Sequence, residues 1–230
     1  MTCKFVPVTR HATDSQLEHF SALHAIGNVR HAFITRIPGI DVSADKTEAL
    51  RRLDAVHREY RGQIGIGDWP LLTAEQVHGN EIAVVDQPVA RGKEFAGCDG
   101  LITNQRKIAL GIHVADCGAV YMVDPKTPAI GLVHSGKKGT ELAIAAKAIE
   151  QMRQHFGSNP ADLIVELSPC IRPPHYEIDF AATIVEQCRA AGVKAIHDAG
   201  ICTACDVERY YSYRAEKGKT GRMLALLGIA

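Results

Sequence analysis

The chain lacks an excess of either charge: 26 lysines and arginines stand against 26 aspartates and glutamates. No general basic field exists to hold nucleic acid or an acidic membrane surface, so any anion must be bound locally. No apolar run approaches the roughly 18 residues needed to cross a bilayer. The N-terminus, Met1-Thr2-Cys3-Lys4-Phe5, has none of the apolar stretch of a signal peptide. The seven cysteines are odd in number and scattered, at 3, 98, 117, 170, 188, 202 and 205, which does not describe a disulfide framework. Reduced thiols in the cytosol are the simpler reading. These absences predict a soluble cytoplasmic protein with neither nucleic acid nor membrane as partner.

What remains is an ordinary globular composition. With 230 residues, 46% hydrophobic and 23% charged, the chain is long enough for one large domain over 1–230. Residues 29–37 read as a strand ending at Pro38-Gly39, and Ser43 as the cap of a helix through about Tyr60. Apolar runs at 82–85, 108–114, 119–123 and 129–134 read as strands. Asp124-Pro125-Lys126-Thr127-Pro128 makes the last two an antiparallel pair, which puts Cys117 and His134 at the same end of a sheet. Leu142, Ala145, Ile149, Met152 and Phe156 recur at helical spacing up to Gly157. A strand at 162–167, a helix at 180–191 closed by Gly192, a short strand at 193–197 and a basic tail from Tyr210 complete the pattern.

Three segments carry the chemistry: Gln76-Val77-His78-Gly79, Ala115-Asp116-Cys117 and Val133-His134-Ser135-Gly136. Their His, Cys and His are separated by 39 and 17 positions, so only the tertiary fold can unite them. Two imidazoles and a thiolate suit zinc and leave a fourth position for water or substrate. Asp116 is placed to hold a ligating histidine by its second nitrogen. Ser135 to Thr140, with two glycines and two lysines before a helix, favours an anion, although the order Gly-x-x-x-x-Gly-Lys-Ser/Thr of a P-loop is absent. Cys202-Thr203-Ala204-Cys205 is a single Cys-x-x-Cys without a second pair, and reads as buried structural thiols. His57-Arg58-Glu59 with Pro169-Cys170 mimics part of a nucleobase-deaminase zinc signature, but Pro173 stands where its second cysteine belongs.

Six motifs in order then carry a resemblance: Gln76-Val77-His78-Gly79, Cys98-Asp99-Gly100-Leu101-Ile102-Thr103, Ala115-Asp116-Cys117, Val133-His134-Ser135-Gly136, Ser168-Pro169-Cys170-Ile171 and Tyr176-Glu177-Ile178. They resemble the YfiH, or laccase-domain, family of purine nucleoside phosphorylases, and the resemblance extends from His31 to Arg214. The resemblance implies a single-domain α+β fold, mixed β-sheets packed together and flanked by helices in α/β/β/α layers. It also implies a metal centre on His78, Cys117 and His134, holding zinc ahead of copper. One such cluster does not supply a multicopper set, the chemistry of the family's older laccase label. The implied activity is phosphorolysis of purine nucleosides (adenosine, inosine, guanosine, methylthioadenosine), together with deamination of adenosine. Purine nucleoside and phosphate are the implied partners, in a monomer or homodimer. Arg36, Lys138 and the helix start near Thr140 are expected to hold phosphate, while Gln76 and Asp116 position the base or a ligand.

The chain departs from the family at one place. Where members read His-Ala-Gly-Trp-Arg-Gly it has His134-Ser135-Gly136-Lys137-Lys138-Gly139, exchanging a ring and a guanidinium for two ammonium groups. Ser168 likewise replaces the glycine usual before Pro169-Cys170. Two rival readings follow: a hydrolase acting on amides or a peptidoglycan precursor, with Cys117 as thiolate nucleophile beside His134, and a non-catalytic nucleotide-binding member.

Overall fold

The computed structural model describes residues 16–230; Cys3 and the N-terminal segment considered above lie outside them. Its elements are β1 (Leu17–Glu18), α1 (Ser21–His24), β2 (Val29–Ile34), α2 (Lys46–Gln63), β3 (Leu71–Ala74), β4 (Ile82–Val85), β5 (Lys93–Phe95), β6 (Gly100–Thr103), β7 (Ala109–Val114), β8 (Gly118–Asp124), β9 (Ala129–Ser135), α3 (Lys137–Glu141), α4 (Ile144–Phe156), β10 (Ile164–Leu167), α5 (Phe180–Ala190), β11 (Ala195–Asp198) and β12 (Met223–Ile229). They form two mixed sheets, ordered β1-β2-β12-β7-β3-β5 and β11-β10-β8-β9-β6-β4.

Strand side chains alternate between faces, and the two sheets use that alternation to make layers. In β8, Ala119, Tyr121 and Val123 join the core shared with β2, β7 and β12 of the first sheet. Val120 and Met122 instead meet Ile144, Ala148, Ile149 and Met152 of α4 and Ile184 of α5. On the first sheet Ala49 and Leu53 of α2 pack into the same core as its strands, and the His57 ring stacks on His113 of β7. Buried on both faces, β8 and β9 have no exposed residue along their length. Tyr121 ties the layers together, its hydroxyl donating to the Ala32 carbonyl at 2.9 Å.

The β8–β9 hairpin is antiparallel as expected, pairing Gly118 with Ser135 and Asp124 with Ala129. Its turn is tight because the Asp124 side chain accepts the N–H groups of Lys126 and Thr127.

Three expectations are corrected. The cap of α2 is Asp45, whose carboxylate accepts from the Glu48 N–H at 3.0 Å, whereas the Ser43 N–H is held by Asp41 in an earlier turn. The helix predicted from Leu142 is interrupted: α3 ends at Glu141 with Leu142 as its C-cap, Ala143 adopts φ 54°, and α4 starts afresh at Ile144, leaving Leu142 42% exposed. The expected αL cap at Gly157 is present, with φ 71°.

The third concerns the tail. Its basic residues Arg214, Lys217, Lys219 and Arg222 all precede β12, and β12 lies in the interior of the first sheet, antiparallel to both β2 and β7. All seven of its residues are buried. Its run Met-Leu-Ala-Leu-Leu-Gly-Ile is continuous because both faces are covered, and such a run carries no period by which to recognise a strand. Leu226, opposite Ala32 and Gly111, is therefore a stringent probe. Leu226→Ala should lower unfolding stability by about 2–5 kcal/mol in urea titration; a change within the roughly 0.5 kcal/mol of surface substitutions would contradict this placement of β12.

Candidate metal centre and cavity

Each residue of the His-Cys-His set stands just outside a strand or at its last turn. His78 lies in the loop after β3, Cys117 in the connection from β7 to β8, and His134 next to the end of β9. One nitrogen of each histidine and the Cys117 sulfur all lie within 4.8 Å of one another. The two imidazoles meet edge to face, their centroids 4.9 Å apart. His134 is buried and His78 exposed, so the cluster has a floor and an open side.

Local chain geometry explains how they meet. Gln76 and His78 both adopt left-handed backbone, φ 65° and 61°, at roughly 1–2 kcal/mol each for a non-glycine residue. That curl aims three consecutive N–H groups, of Val77, His78 and Gly79, at the carboxylate of Asp99 with lengths of 3.2, 2.9 and 2.7 Å. The same carboxylate accepts from His134 Nδ1 at 2.9 Å, which leaves Nε2 of His134 as the free lone pair for a metal. Gly136 is required by proximity, since a Cβ there would lie 2.3 Å from the Cys117 sulfur. It makes room for the thiol.

The electrostatics are those of a charged pair, Cys117 and His134, set beneath the exposed His78. Burial alone would raise the Cys117 thiol, but the charge of His134 and hydrogen bonds from His134 and His78 outweigh it and hold it at about 6. Burial would lower His134, yet the Cys117 charge and the Asp99 hydrogen bond raise it to about 9. Asp99 is likewise held below the ordinary carboxylate range: burial opposes this, and hydrogen bonds from His134 and the Gly79 N–H prevail.

The residue holding His134 is thus Asp99, not Asp116. Asp116 accepts from the Thr203 hydroxyl at 2.7 Å and the Arg214 N–H at 2.8 Å, and so ties two distant loops to the strand end beside Cys117. Gln76 makes a two-way bond to the His113 main chain, donating at 2.6 Å and accepting at 3.0 Å. Both line a cavity of about 640 Å³ above the cluster.

Arg36 and Lys138 do not line it. Arg36 is engaged by Glu216 at 2.6 Å and lies over the Tyr211 ring; Glu216 in turn accepts from the Ser212 N–H and the Thr220 hydroxyl. Its effect on the cavity passes through the loop that carries Tyr213, Arg214 and Lys217. The helix expected to receive an anion is α3, only five residues long, and Lys137, not Lys138, is on the wall.

The cations that do line the cavity are Lys46, Lys137, Arg214, Lys217 and Arg222, with Tyr176, Phe180 and Tyr213 supplying aromatic surface. Most were invisible as site residues because they come from the α2 start and the loop before β12. Asp99 did leave a signal, an acidic residue directly before the wholly apolar Gly100-Leu101-Ile102 strand start.

The donor set fits a metal ion on its chemistry: two imidazole nitrogens and a readily ionised thiol are zinc ligands, and three of them leave an open position facing the cavity. Fold and donor set together define a laccase-domain protein, and the chain belongs to that family. The family described as multi-copper polyphenol oxidoreductase laccase matches it over residues 39–182 and 175–230. Among relatives, the purine nucleoside phosphorylase YlmD of Geobacillus stearothermophilus is 30% identical, over 88% of this chain and 86% of its own. The protein of the same name from Bacillus subtilis is 28% identical, over 68% of this chain and 69% of its own. In fold the chain is similar to the crystal structure of the Geobacillus stearothermophilus YlmD, with TM-score 0.81 at 24% identity, covering 96% of this chain and 98% of that one. YfiH of Bacillus licheniformis is similar at TM-score 0.79 and 22% identity, with coverage of 96% and 98%.

Two outcomes are expected. Asp99→Asn removes the charge that fixes both histidines, and should weaken metal affinity about 10- to 100-fold in a competitive chelator titration; unchanged affinity would rule out the carboxylate's role. In metal-free protein the Cys117–His134 pair is ionic between the two pKa values. The Cys117 contribution to stability is lost as pH falls through about 6, and that of His134 as pH rises through about 9. Alkylation of Cys117, followed on its peptide by mass spectrometry, should therefore rise with a midpoint near 6. A midpoint near the ordinary thiol value of about 8.5 would mean that the pair does not form.

Proposed function

We propose that this chain is a zinc-dependent purine nucleoside phosphorylase that also deaminates adenosine. The observation that carries the reading is the convergence of His78, Cys117 and His134 beneath a cavity lined by both cations and aromatic rings, with Arg214 over the Tyr176 ring and Arg222 over that of Tyr213. The names of the relatives support it. A zinc ion held by the three residues supplies Lewis acidity and a means of ionising water near neutral pH.

The chain's own groups do the rest. Tyr176, Phe180 and Tyr213 offer flat apolar surface to a purine. Phosphorolysis forms a bond from a phosphate oxygen to C1′ of the sugar and breaks the bond from C1′ to the purine nitrogen. Phosphate therefore needs fixed positive charge beside the sugar. Arg222 suits this role: it is partly buried, donates to the Thr220 and Gly221 carbonyls, and makes no ion pair among the described residues. Lys137 and Lys217 add charge to the cavity lining, in place of the guanidinium absent at Lys138. Asp116 and Gln76 position the loops around the centre, and Arg36 braces the segment bearing Tyr213 and Arg214.

One observation favours a second reading. The Cys117 thiol, lowered to about 6 beside His134, has the make-up of an activated nucleophile. Metal content separates the two. With adenosine and phosphate, product analysis by chromatography should give adenine and inosine in proportion to bound zinc, and His78→Ala should abolish both while leaving the circular dichroism unchanged. Full turnover by metal-free protein would instead favour the thiolate. Arg222→Met should raise the KM for phosphate roughly 10- to 100-fold, the equivalent of about 1.5–3 kcal/mol for a charge-assisted hydrogen bond; an unaltered KM would remove Arg222 from the phosphate site.

A further inference from the structure

The Cys-x-x-Cys segment, expected to be buried structural thiols, is arranged otherwise. Cys202 is buried but Cys205 is exposed. A short 3-10 turn, Thr203–Cys205, brings them to the same side, the Cys205 N–H donating to the Cys202 carbonyl. A third donor arrives from a different part of the chain. His175 ends the turn Arg172-Pro173-Pro174-His175, its N–H bonded to the Arg172 carbonyl at 2.9 Å. Its Nδ1 lies 3.6 Å from the Cys202 sulfur and 3.5 Å from the Cys205 sulfur.

Two features of this geometry point to a cation. Nδ1 of His175 stands at nearly equal distance from both sulfurs although it offers one lone pair or one proton, and Cys202 also reaches the Arg172 carbonyl at 3.8 Å. A metal between the three would be held by all of them. Tetrahedral zinc, with Zn–S about 2.3 Å and Zn–N about 2.0–2.1 Å, separates a sulfur and a nitrogen ligand by roughly 3.5 Å. All three donor atoms also lie within 4.8 Å of one another.

The backbone is set before any ion arrives. Cys202 pairs with Cys170 in an isolated bridge, the Cys170 N–H donates to the Ile201 carbonyl and the Thr203 N–H to that of Cys170, and the Arg172 guanidinium is held by Asp198. We infer that His175, Cys202 and Cys205 form a second metal site, separate from the His78–Cys117–His134 centre, that takes zinc or another thiophilic divalent ion with its fourth position open to solvent. Binding releases the two thiol protons and involves no redox step. The site also has a reach toward the cavity, because Thr203, between the two cysteines, donates its hydroxyl to Asp116 next to Cys117. A metal there secures the turn on which that bond depends. This inference stands independently of the phosphorylase reading.

The test is cobalt titration of the reduced full-length chain, read by the thiolate-to-cobalt charge-transfer band and by bound metal per chain. The wild type should take up two equivalents. Cys117→Ser should keep one equivalent and the band, whereas Cys117→Ser/Cys205→Ser and Cys117→Ser/His175→Ala should lose both, and zinc should bleach the retained band. Cys205→Ser alone, a change at an exposed position, should reduce uptake from two equivalents to one with the fold intact, which covers the case of a poorly folding Cys117 variant. The inference is overturned if reduced Cys117→Ser protein takes up no cobalt, or if its band is indifferent to both Cys205→Ser and His175→Ala.

Discussion

The site depends on one buried carboxylate. Asp99 accepts four hydrogen bonds, from His134 Nδ1 and from the N–H groups of Val77, His78 and Gly79. An ionised carboxylate out of water is costly unless its oxygens are satisfied, and here satisfying them dictates the site. The loop 76–79 must curl through two left-handed residues to deliver its N–H groups, which delivers His78. The His134 ring must turn its Nδ1 inward, which exposes Nε2. Both histidines are therefore aimed by the same group, and the third donor, Cys117, approaches because Gly136 has no Cβ to obstruct it.

The two-sheet sandwich brings these pieces to one place. Asp99 immediately precedes β6, which pairs with β9, so the Asp99 carbonyl also accepts the His134 N–H at 2.7 Å. The β8–β9 register then sets Cys117 against the end of β9. In the other sheet, insertion of β12 between β2 and β7 draws the preceding loop across the strand ends, with Tyr213, Arg214, Lys217 and Arg222 facing the cavity. Three of the five cavity cations, Arg214, Lys217 and Arg222, thus come from the last quarter of the chain, and Arg36, far away in sequence, steadies that loop through Glu216.

Lys137 and Lys138 show how position in space alters the meaning of a substitution. Side by side in sequence, they take the two positions at which the motif departs from the family it resembles. One lines the cavity and the other does not, so the departure bears on the cavity chiefly through Lys137. The Cys-x-x-Cys segment makes the same point: two thiols in sequence became a three-donor cluster only when a turn after two prolines set His175 against them.

By itself the sequence determined the local structure and the donor inventory. Compact apolar runs bounded by turn residues marked the β8–β9 hairpin, helical spacing marked the body of α4 with its Gly157 cap, and three motifs supplied a His, a Cys and a His that belong together chemically. It did not reveal β12, whose apolar run carries no period and, unlike β8 and β9, is not joined to a second apolar run across a tight turn. It named Asp116 rather than Asp99 as the histidine's partner, since adjacency to a ligand in the chain says nothing of which carboxylate lies across the sheet. Tertiary structure alone decided which cations face the cavity, which residues merely brace it, and that His175 meets Cys202 and Cys205, because each of these rests on contacts between segments separated by tens of residues, and such contacts have no local signature.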